Sequence, residues 1–322
     1  MHTTQALEVA LDLRVVATEE IADDVVKLSL ERRDRGSLPD WTPGSHVDLQ
    51  LGTELVRQYS LCGEAGQSEL WQVAVLREPE SRGGSTFAHD SLTVGDDVAV
   101  RGPRNQFALV EGADEYIFIA GGIGITPLLS MIDRVDAWGK KWTLHYSGRR
   151  RSTMAFVDGL RKRYGDKVQV YSTAESERID LERVLGDPQS ASLVYCCGPE
   201  RLIAAVESEM TSWPAQALHV ERFSPRTLEP PLRDTAFEVE LSRSRLVLTV
   251  PPEKSILQVV QAAGVQVLSS CTEGTCGTCE TNIVSGVPEH RDSILTDAER
   301  ADSPSMFICV SRACSSRLIL EL

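Results

Sequence analysis

The stretch Tyr116-Ile-Phe-Ile-Ala-Gly-Gly-Ile-Gly-Ile-Thr-Pro127 determines how the middle of the chain folds. Its first five residues are apolar and predict a buried strand. Glycines follow at once, and from Leu128 to Met131 the apolar residues have helical spacing. Pro127 suits the first turn of a helix, because no backbone N–H is needed there. The stretch therefore predicts a strand that runs through a glycine-rich turn into a helix.

The alternation of strand and helix continues from Glu115 to Phe223. Further strands are predicted over Trp142 to Tyr146, Val168 to Tyr171, Leu193 to Cys197 and Ala217 to Val220. Helices are predicted over Thr126 to Trp138, Ser152 to Tyr164 and Pro199 to Trp213. Because strands that alternate with helices pair in parallel, we expect a parallel sheet covered on both faces.

The glycines of this turn, Gly121, Gly122 and Gly124, would let the phosphates of a ligand approach the backbone at a helix N-terminus. A second turn, Tyr195-Cys-Cys-Gly-Pro199, ends another strand at the same carboxyl edge. Two such turns predict a crevice for a dinucleotide. The first turn lacks the third glycine of G-x-G-x-x-G, so a purely structural turn remains the alternative.

The pattern is different from Val9 to Gly102. Short runs of alternating apolar and polar residues are separated there by Gly, Pro and acidic turns, which predicts a small antiparallel barrel. The runs are His46 to Leu51, Leu55 to Cys62, Leu70 to Arg77 and Asp96 to Arg101. Within it, Arg57-Gln-Tyr-Ser60 and Arg82-Gly-Gly-Ser-Thr86 together suggest a phosphate clamp beside a surface for a flat heteroaromatic ring. The alternative is barrel packing for Tyr59 and a solvated charge for Arg57.

Prolines at 225, 230 and 231 indicate an interdomain linker. Beyond it we expect a hairpin of Phe237 to Leu241 and Leu246 to Val250, then a helix from Ser255 to Ala263.

Four cysteines near the C-terminus, Cys271, Cys276, Cys279 and, after 29 residues, Cys309, have the C-x4-C-x2-C…C spacing of a plant-type 2Fe-2S centre. A structural zinc site and disulfides are the alternatives, although zinc ribbons usually pair two C-x2-C units. The other four cysteines are expected to be buried apolar groups; they are Cys62, Cys196, Cys197 and Cys314.

Composition restricts the function further. The chain has 322 residues, with 33 Lys and Arg against 47 Asp and Glu, and its net charge of -14 disfavours nucleic acids and anionic membranes. Neither an apolar run of about 18 residues nor a signal-peptide pattern is present, so we expect a cytoplasmic protein. None of the six histidines accompanies the cysteine ligands, which excludes two-histidine ligation of Rieske type.

Taken together, these motifs and their order resemble the phthalate dioxygenase reductase group of the ferredoxin-NADP reductase superfamily. The resemblance covers nearly the whole chain. It implies a multidomain α/β and β fold of three domains: an antiparallel Greek-key β-barrel flavin domain, a parallel-sheet α/β nucleotide domain and a C-terminal β-grasp ferredoxin domain. The expected boundaries are 1–106, 107–226 and 236–322, with a linker over 227–235.

The resemblance also implies roles for individual residues. Arg57, with Gln58 beside it, and the turn Gly83-Gly84-Ser85-Thr86 would hold the flavin phosphate, while Tyr59, Ser60 and the backbone around Val75 would flank the ring. Gly121, Gly122, Gly124 and Thr126 would line the pyrophosphate path. Cys197, Gly198 and Pro199 would lie near the nicotinamide, and Phe223 would cover the flavin; simple interdomain packing is its alternative.

In this family the cofactors are FMN, a 2Fe-2S cluster and NADH. Selection between NADH and NADPH takes place after the second and third strands of the nucleotide domain. The residues that could decide it are Ser147, Arg149, Arg150, Arg151, Glu175 and Glu177. The expected function is that of a monomeric reductase that passes electrons from NADH to a Rieske-type aromatic oxygenase in a transient complex, within aromatic hydrocarbon catabolism. The alternatives are a reductase for another acceptor, such as a separate ferredoxin or a haem protein, and a redox sensor.

Overall fold

A computed structural model describes residues 9–52, 55–175, 178–227 and 230–322, and for residues 297 and 298 it describes the backbone only. The chain divides into two compact units, one that ends at Glu221 and one that comprises Arg222–Leu322. The first unit contains two sheets, and the second contains the C-terminal sheet with its helices.

The first sheet is an antiparallel barrel. Its strands are β1 (Val9–Ala22), β2 (Val25–Arg32), β3 (His46–Leu51), β4 (Leu55–Ser60), β5 (Trp71–Leu76) and β6 (Asp97–Arg104), and helix α1 is Gly84–Asp90. They are ordered β4-β3-β6-β1-β2-β5, and an antiparallel bridge between Leu61 and Val73 links the two edges. Alternate side chains, among them Leu13, Leu28 and Val73, fill the interior, as the period-2 pattern predicts.

The second sheet is parallel, in the order β11-β10-β7-β8-β9. Its strands are β7 (Glu115–Gly121), β8 (Lys141–Gly148), β9 (Val168–Ser172), β10 (Ser192–Cys197) and β11 (Leu218–Glu221), and its helices are α2 (Thr126–Ala137), α3 (Val157–Tyr164), α4 (Leu181–Leu185) and α5 (Glu200–Glu209). Phe118 of β7 packs with α2 and α3, whereas Ile119 packs with α4 and α5. Helices therefore cover both faces, as the alternation predicts.

The second unit has a mixed sheet in the order β13-β12-β18-β14-β16 and a two-stranded ladder of β15 and β17. Its strands are β12 (Phe237–Leu241), β13 (Leu246–Val250), β14 (Glu280–Ser285), β15 (Pro288–Glu289), β16 (Ser305–Phe307), β17 (Arg312–Ala313) and β18 (Arg317–Leu320), and its helices are α6 (Ile256–Ala262) and α7 (Asp297–Asp302). The predicted hairpin is β12 and β13, and a capping box at Ser255 starts α6. The predicted fold class is confirmed in all three parts.

Two details of the sequence prediction are wrong. The helix expected from Ser152 begins only at Val157, because Phe156 has a φ of 64° and Met154 is extended against Gly148. Cys314, expected to be buried, is exposed; its sulfur lies 3.6 Å from the carbonyl oxygen of Pro288, at the end of the small ladder.

Candidate functional site

Two glycine-containing turns meet at the carboxyl edge of the parallel sheet. Strand β7 ends at Gly121, and a 3₁₀ turn over Gly122–Ile125 leads into α2. A Cβ atom on Gly121 would lie 2.6 Å from Cδ of Pro199, and one on Gly124 would lie 2.4 Å from the carbonyl oxygen of Cys197. The turns are packed so closely that only glycine fits at either position.

These turns lie where the strand order changes direction. From β7 the sheet runs through β8 and β9 on one side and through β10 and β11 on the other. Ligands of open α/β sheets bind in the crevice at such a point. The Thr126 hydroxyl donates to the carbonyl oxygen of Ile123 at 2.9 Å, which closes the turn at the start of α2. Gly198, between Cys197 and Pro199, is half-buried beside Gly121.

In the barrel, the guanidinium of Arg57 lies over the predicted phosphate turn. Its Nη1 donates to the carbonyl oxygen of Val56 at 2.9 Å and its Nη2 to that of Arg82 at 3.1 Å. Gly83 has a φ of 95°, and a Cβ atom on Gly84 would lie 2.6 Å from Cγ of Arg57. The turn therefore places backbone N–H groups and a cation together, as a flavin phosphate requires.

The residues after Gly84 differ in accessibility. The Ser85 hydroxyl is buried; it accepts from the backbone N–H of Glu78 at 3.1 Å and bonds the Ser81 hydroxyl at 2.9 Å. Thr86 is exposed in the first turn of α1. Ser85 therefore fixes the shape of the turn, whereas Thr86 is free to face a ligand.

Strand β4 presents its residues alternately to two faces. Arg57 and Tyr59 share one face, where burial raises the pKa of the Tyr59 hydroxyl to about 12 although the Arg57 charge acts against it. On the other face, the Gln58 side chain donates to the Asp48 carboxylate at 3.0 Å. Asp48 is buried and is paired with Arg104 at 2.5 Å. Gln58 therefore fixes β4 to its neighbour β3.

Ser60, the last residue of β4, lies beside Glu221, the last residue of β11. Glu221 stands opposite Cys197 in the parallel pair of β10 and β11. Burial raises the pKa of the Glu221 carboxyl to about 8, against the influence of the neighbouring Ser60 hydroxyl. Burial also raises the pKa of the Cys197 thiol, with the Glu221 carboxylate adding to the effect. The two sheets thus bring together the buried Ser60 hydroxyl, the buried Cys197 thiol and the carboxyl of the half-buried Glu221.

Neither Ser60 Oγ nor Glu221 Oε2 has a well-aligned hydrogen-bond partner among the described residues. Buried polar atoms are normally paired, so these two atoms are suited to a bound ligand. The sequence prediction included Ser60 and Cys197 but missed Glu221. The signal was the position of Glu221 at the end of a predicted strand, two residues before Phe223.

Two other predicted positions, Val75 and Phe223, have the following surroundings. Val75 is fully buried in β5, and its carbonyl oxygen lies 2.9 Å from Nε2 of His89. Phe223 belongs to the second unit and is 46% exposed. Its role over the flavin stays a prediction.

The residues considered for NADH selection lie at the ends of β8 and β9. Ser147 is half-buried, Arg149 and Arg150 are exposed, and Arg151 pairs with Asp158 at 2.6 Å. The Glu175 carboxylate accepts from the Arg151 backbone N–H at 3.4 Å, while Glu177 lies outside the described residues.

In the second unit, the cluster loop, Cys271–Cys279, directs backbone N–H groups at cysteine sulfurs. Those of Glu273 and Thr275 point to Cys271 Sγ, and that of Thr278 points to Cys276 Sγ, each at 3.4 Å. Such bonds stabilise the negative charge of thiolates that hold iron. Gly274 has a φ of 74°, and a Cβ atom there would lie 2.6 Å from Cγ2 of Val310. The loop therefore closes tightly beside Cys309.

The four predicted ligand sulfurs form one interacting set. The thiols of Cys276 and Cys309 both hydrogen-bond Cys271, which holds the pKa of Cys271 far below its usual range, and Cys279 also interacts with Cys309. A set of four thiols with donors around them fits a 2Fe-2S cluster.

Among the described residues, no group of three or more His, Cys, Asp or Glu is arranged to hold a single metal ion. In the same ranges, no helix combines the length and apolar character needed to cross a membrane.

Two domain families match the sequence. The oxidoreductase NAD-binding domain matches residues 118–208, and the 2Fe-2S iron-sulfur cluster binding domain matches residues 239–317. The first match includes both turns of the crevice, and the second includes all four clustered cysteines.

Whole-length comparisons agree with these matches. Phenoxybenzoate dioxygenase subunit beta of Ectopseudomonas oleovorans is 39% identical over 313 residues, which cover 97% of each chain. The structure of phthalate dioxygenase reductase, described as modular for electron transfer from pyridine nucleotides to [2Fe-2S], is 36% identical with a TM-score of 0.71, covering 97% of this chain and 98% of that one.

An intact type IV self-sufficient cytochrome P450 monooxygenase is 43% identical with a TM-score of 0.92. The match covers 97% of this chain but only 41% of the P450 protein.

A chain in which these two domains follow an antiparallel barrel in the sequence is an electron-transfer oxidoreductase. This one belongs to the phthalate dioxygenase reductase family. Its matched domains are those that bind NAD and a 2Fe-2S cluster.

Proposed function

We propose that the chain is the reductase component of a two-component Rieske-type oxygenase that acts on aromatic compounds. The observation that carries the proposal is the meeting of Ser60, Cys197 and Glu221, where the barrel joins the nucleotide domain, in a chain that also holds the cluster loop. The identity to phenoxybenzoate dioxygenase subunit beta supports an oxygenase as the acceptor.

The cofactors account for the need for three domains. FMN held in the barrel would supply the conversion of a two-electron input into one-electron outputs, which suits a one-electron cluster. Arg57 and the turn at Gly83 and Gly84 would hold the FMN phosphate, and Tyr59 would lie along the ring. The crevice formed by Gly121, Gly124 and Pro199 would hold the pyrophosphate of NADH.

The chain's own groups provide the environment of the reaction. Ser60 offers a hydroxyl and Cys197 a neutral thiol, since burial keeps its proton on. Below about pH 8 the Glu221 carboxyl keeps its proton as well and adds no negative charge to the site. The residues therefore exclude water and orient the reactants, and no acid/base pair is needed for hydride transfer itself.

The test is reconstitution. The purified protein, NADH and a purified Rieske oxygenase with its aromatic substrate should give substrate turnover that requires all components. Absence of turnover, despite rapid reduction of cytochrome c by the same preparation, would contradict an oxygenase acceptor. Absence of both reactions would favour a redox sensor.

The second candidate acceptor is a haem protein. The observation that favours it is the 43% identity to one part of the self-sufficient P450 monooxygenase. Replacing the oxygenase in the same assay by a purified P450 without a reductase of its own separates the two acceptors.

We place the protein in the cytoplasm as a monomer that meets its acceptor in a transient complex. The net charge of -14 supports a transient, charge-guided encounter. Sedimentation of the protein alone tests the monomeric state, and sedimentation with the oxygenase tests the transient complex.

A further inference from the structure

Residues 147–153, which we call the arginine loop, begin at the end of β8 on the carboxyl edge of the parallel sheet. Ser147 stands opposite Gly121 in the parallel pair of β7 and β8. Neighbouring strands lie about 4.8 Å apart, so the arginine loop begins one strand away from the glycine turn that would hold the pyrophosphate. A dinucleotide seated on that turn would therefore bring its adenosine ribose to the arginine loop.

The arginine loop is strongly basic. Its sequence is Ser-Gly-Arg-Arg-Arg-Ser-Thr, with arginine at 149, 150 and 151 and no acidic residue. A dinucleotide site that selects NADH carries Asp or Glu at this place, because the carboxylate accepts from the 2′-hydroxyl of the ribose and repels a 2′-phosphate. An arginine there accommodates the phosphate instead. The loop therefore has the composition that suits a phosphorylated ribose.

Two of the three arginines are available to a ligand. The Arg151 guanidinium is paired with Asp158 at 2.6 Å. Arg149 and Arg150 are exposed, and their side chains make no hydrogen bond or ion pair with the residues that the structure describes. The half-buried Ser147 hydroxyl has no hydrogen-bond partner in the same part of the chain. One strand end thus offers two cations and a hydroxyl together.

The backbone of the arginine loop is held in place although these side chains are free. The carbonyl oxygen of Arg149 accepts from the backbone N–H of Ala174 at 3.0 Å, and the Glu175 carboxylate accepts from the backbone N–H of Arg151 at 3.4 Å. Counted over these described residues, one carboxylate remains against two unpaired guanidinium groups, so the loop keeps a positive charge. A fixed backbone also reduces the entropy that is lost when a ligand binds.

We propose that Arg149 and Arg150, together with the Ser147 hydroxyl, bind the 2′-phosphate of a nucleotide, so that NADPH is an electron donor for this chain as well as NADH. This inference rests on the proposed function, because it adds a second donor to the same crevice. The 2′-phosphate takes no part in the reaction. NADPH, like NADH, would give one hydride to the flavin, while a proton comes from water, and would leave as NADP⁺.

The test compares the KM values of the full-length holoprotein for NADH and NADPH, with cytochrome c as the acceptor. In the parent, the KM for NADPH should lie within about tenfold of the KM for NADH. The double variant Arg149→Ala/Arg150→Ala should raise the KM for NADPH about 100-fold, as expected for the loss of two charge-assisted hydrogen bonds. The KM for NADH and the kcat for either nucleotide should change less than about twofold, because NADH carries no phosphate at this place.

Two variants serve as controls. Arg149→Lys/Arg150→Lys keeps both charges and should recover much of the affinity for NADPH, since lysine also binds phosphate as a point charge. Arg161→Ala/Lys162→Ala removes two charges from exposed positions in α3 and should leave both KM values at the parental level. A parental KM for NADPH more than about 100-fold above that for NADH would overturn the proposal. An equal rise of both KM values in Arg149→Ala/Arg150→Ala, or an equal effect of the α3 variant, would overturn it as well.

A binding measurement separates this proposal from the proposed function. In calorimetric titrations of the parent, adenosine 2′-phosphate should bind more tightly than adenosine 5′-phosphate, and the two should bind equally weakly to Arg149→Ala/Arg150→Ala. If NADH fails to reduce the parent, the proposed function fails, whereas the preference for the 2′-phosphate still supports the arginine site. Equal affinity of the parent for the two nucleotides would overturn the arginine site even if NADH reduces the protein rapidly.

Discussion

Ser60 and Glu221 end two strands of different sheets, and their side chains lie side by side in the first unit. The contact joins the barrel, which carries the Arg57 clamp, to the sheet that carries the nucleotide crevice. It also explains why Glu221 keeps its proton to about pH 8: the carboxyl is buried, and one hydroxyl does not replace the water it has lost. The site is thus formed by the junction of two domains.

The first prediction concerns stability and pH. The pKa of Glu221 is raised from 4.5 to about 8, so the folded protein binds this proton more tightly than the unfolded chain. The stabilisation that this proton gives the folded protein is fully present below about pH 4.5 and is lost as the pH rises through 8. The Glu221→Gln side chain stays neutral at every pH. The free energy of unfolding of this variant should therefore exceed that of the parent by an amount that grows with pH, by on the order of a few kcal/mol. Urea unfolding of both proteins at pH 5.5 and 9 measures the difference between their free energies of unfolding. The same difference at both pH values would contradict the prediction.

The second prediction concerns the nucleotide crevice. Gly124→Ala forces a methyl group against the carbonyl oxygen of Cys197, so the turn must shift and NADH should bind about tenfold more weakly. The matched control is Gly159→Ala in α3, where a Cβ atom meets open space. The KM for NADH in both variants is the measurement, and an unchanged value in Gly124→Ala would remove this turn from the binding site.

The third prediction concerns flavin retention. Arg57→Ala removes the cation over the turn at Gly83 and Gly84, and the dissociation constant for FMN should rise about 10- to 100-fold. Arg33→Ala is the control, because Arg33 is 69% exposed in the same domain. Fluorescence titration of the flavin-free protein measures both constants. Equal affinity in the two variants would assign the phosphate to another site.

The fourth prediction separates the cofactors. Cys276→Ser removes one predicted iron ligand, so the cluster should be lost while NADH still bleaches the flavin. Reduction of cytochrome c should fall to a small fraction of the parental rate. Cys314→Ser is the control, since that exposed thiol lies outside the ligand set. A Cys276→Ser protein that reduces cytochrome c at the parental rate would show that electrons leave by another path.

Local patterns predicted much of this fold. Strand β3 and the hairpin of β12 and β13 have the predicted bounds, because alternation and turn residues define them within a few positions. The short strands β14 to β18 and the helix α4 were not predicted. They contain two to six residues each, and their pairing depends on partners that are distant in sequence.

The site was predicted in part for the same reason. The cysteine spacing and the glycine turns are local signals, whereas the contact of Ser60 with Glu221 depends on how two domains pack. A glutamate at a strand end usually lies in solvent, so its burial could not be inferred from its neighbours in the sequence.

The central claim, that electron pairs from NADH leave the chain one at a time through iron, is tested most directly by an anaerobic titration of the holoprotein. NADH is added in steps, with the visible spectrum recorded for the flavin and electron paramagnetic resonance for the cluster. We expect the flavin to bleach and the reduced-cluster signal to grow as NADH is consumed. Complete consumption of NADH with the cluster still oxidised would contradict the account.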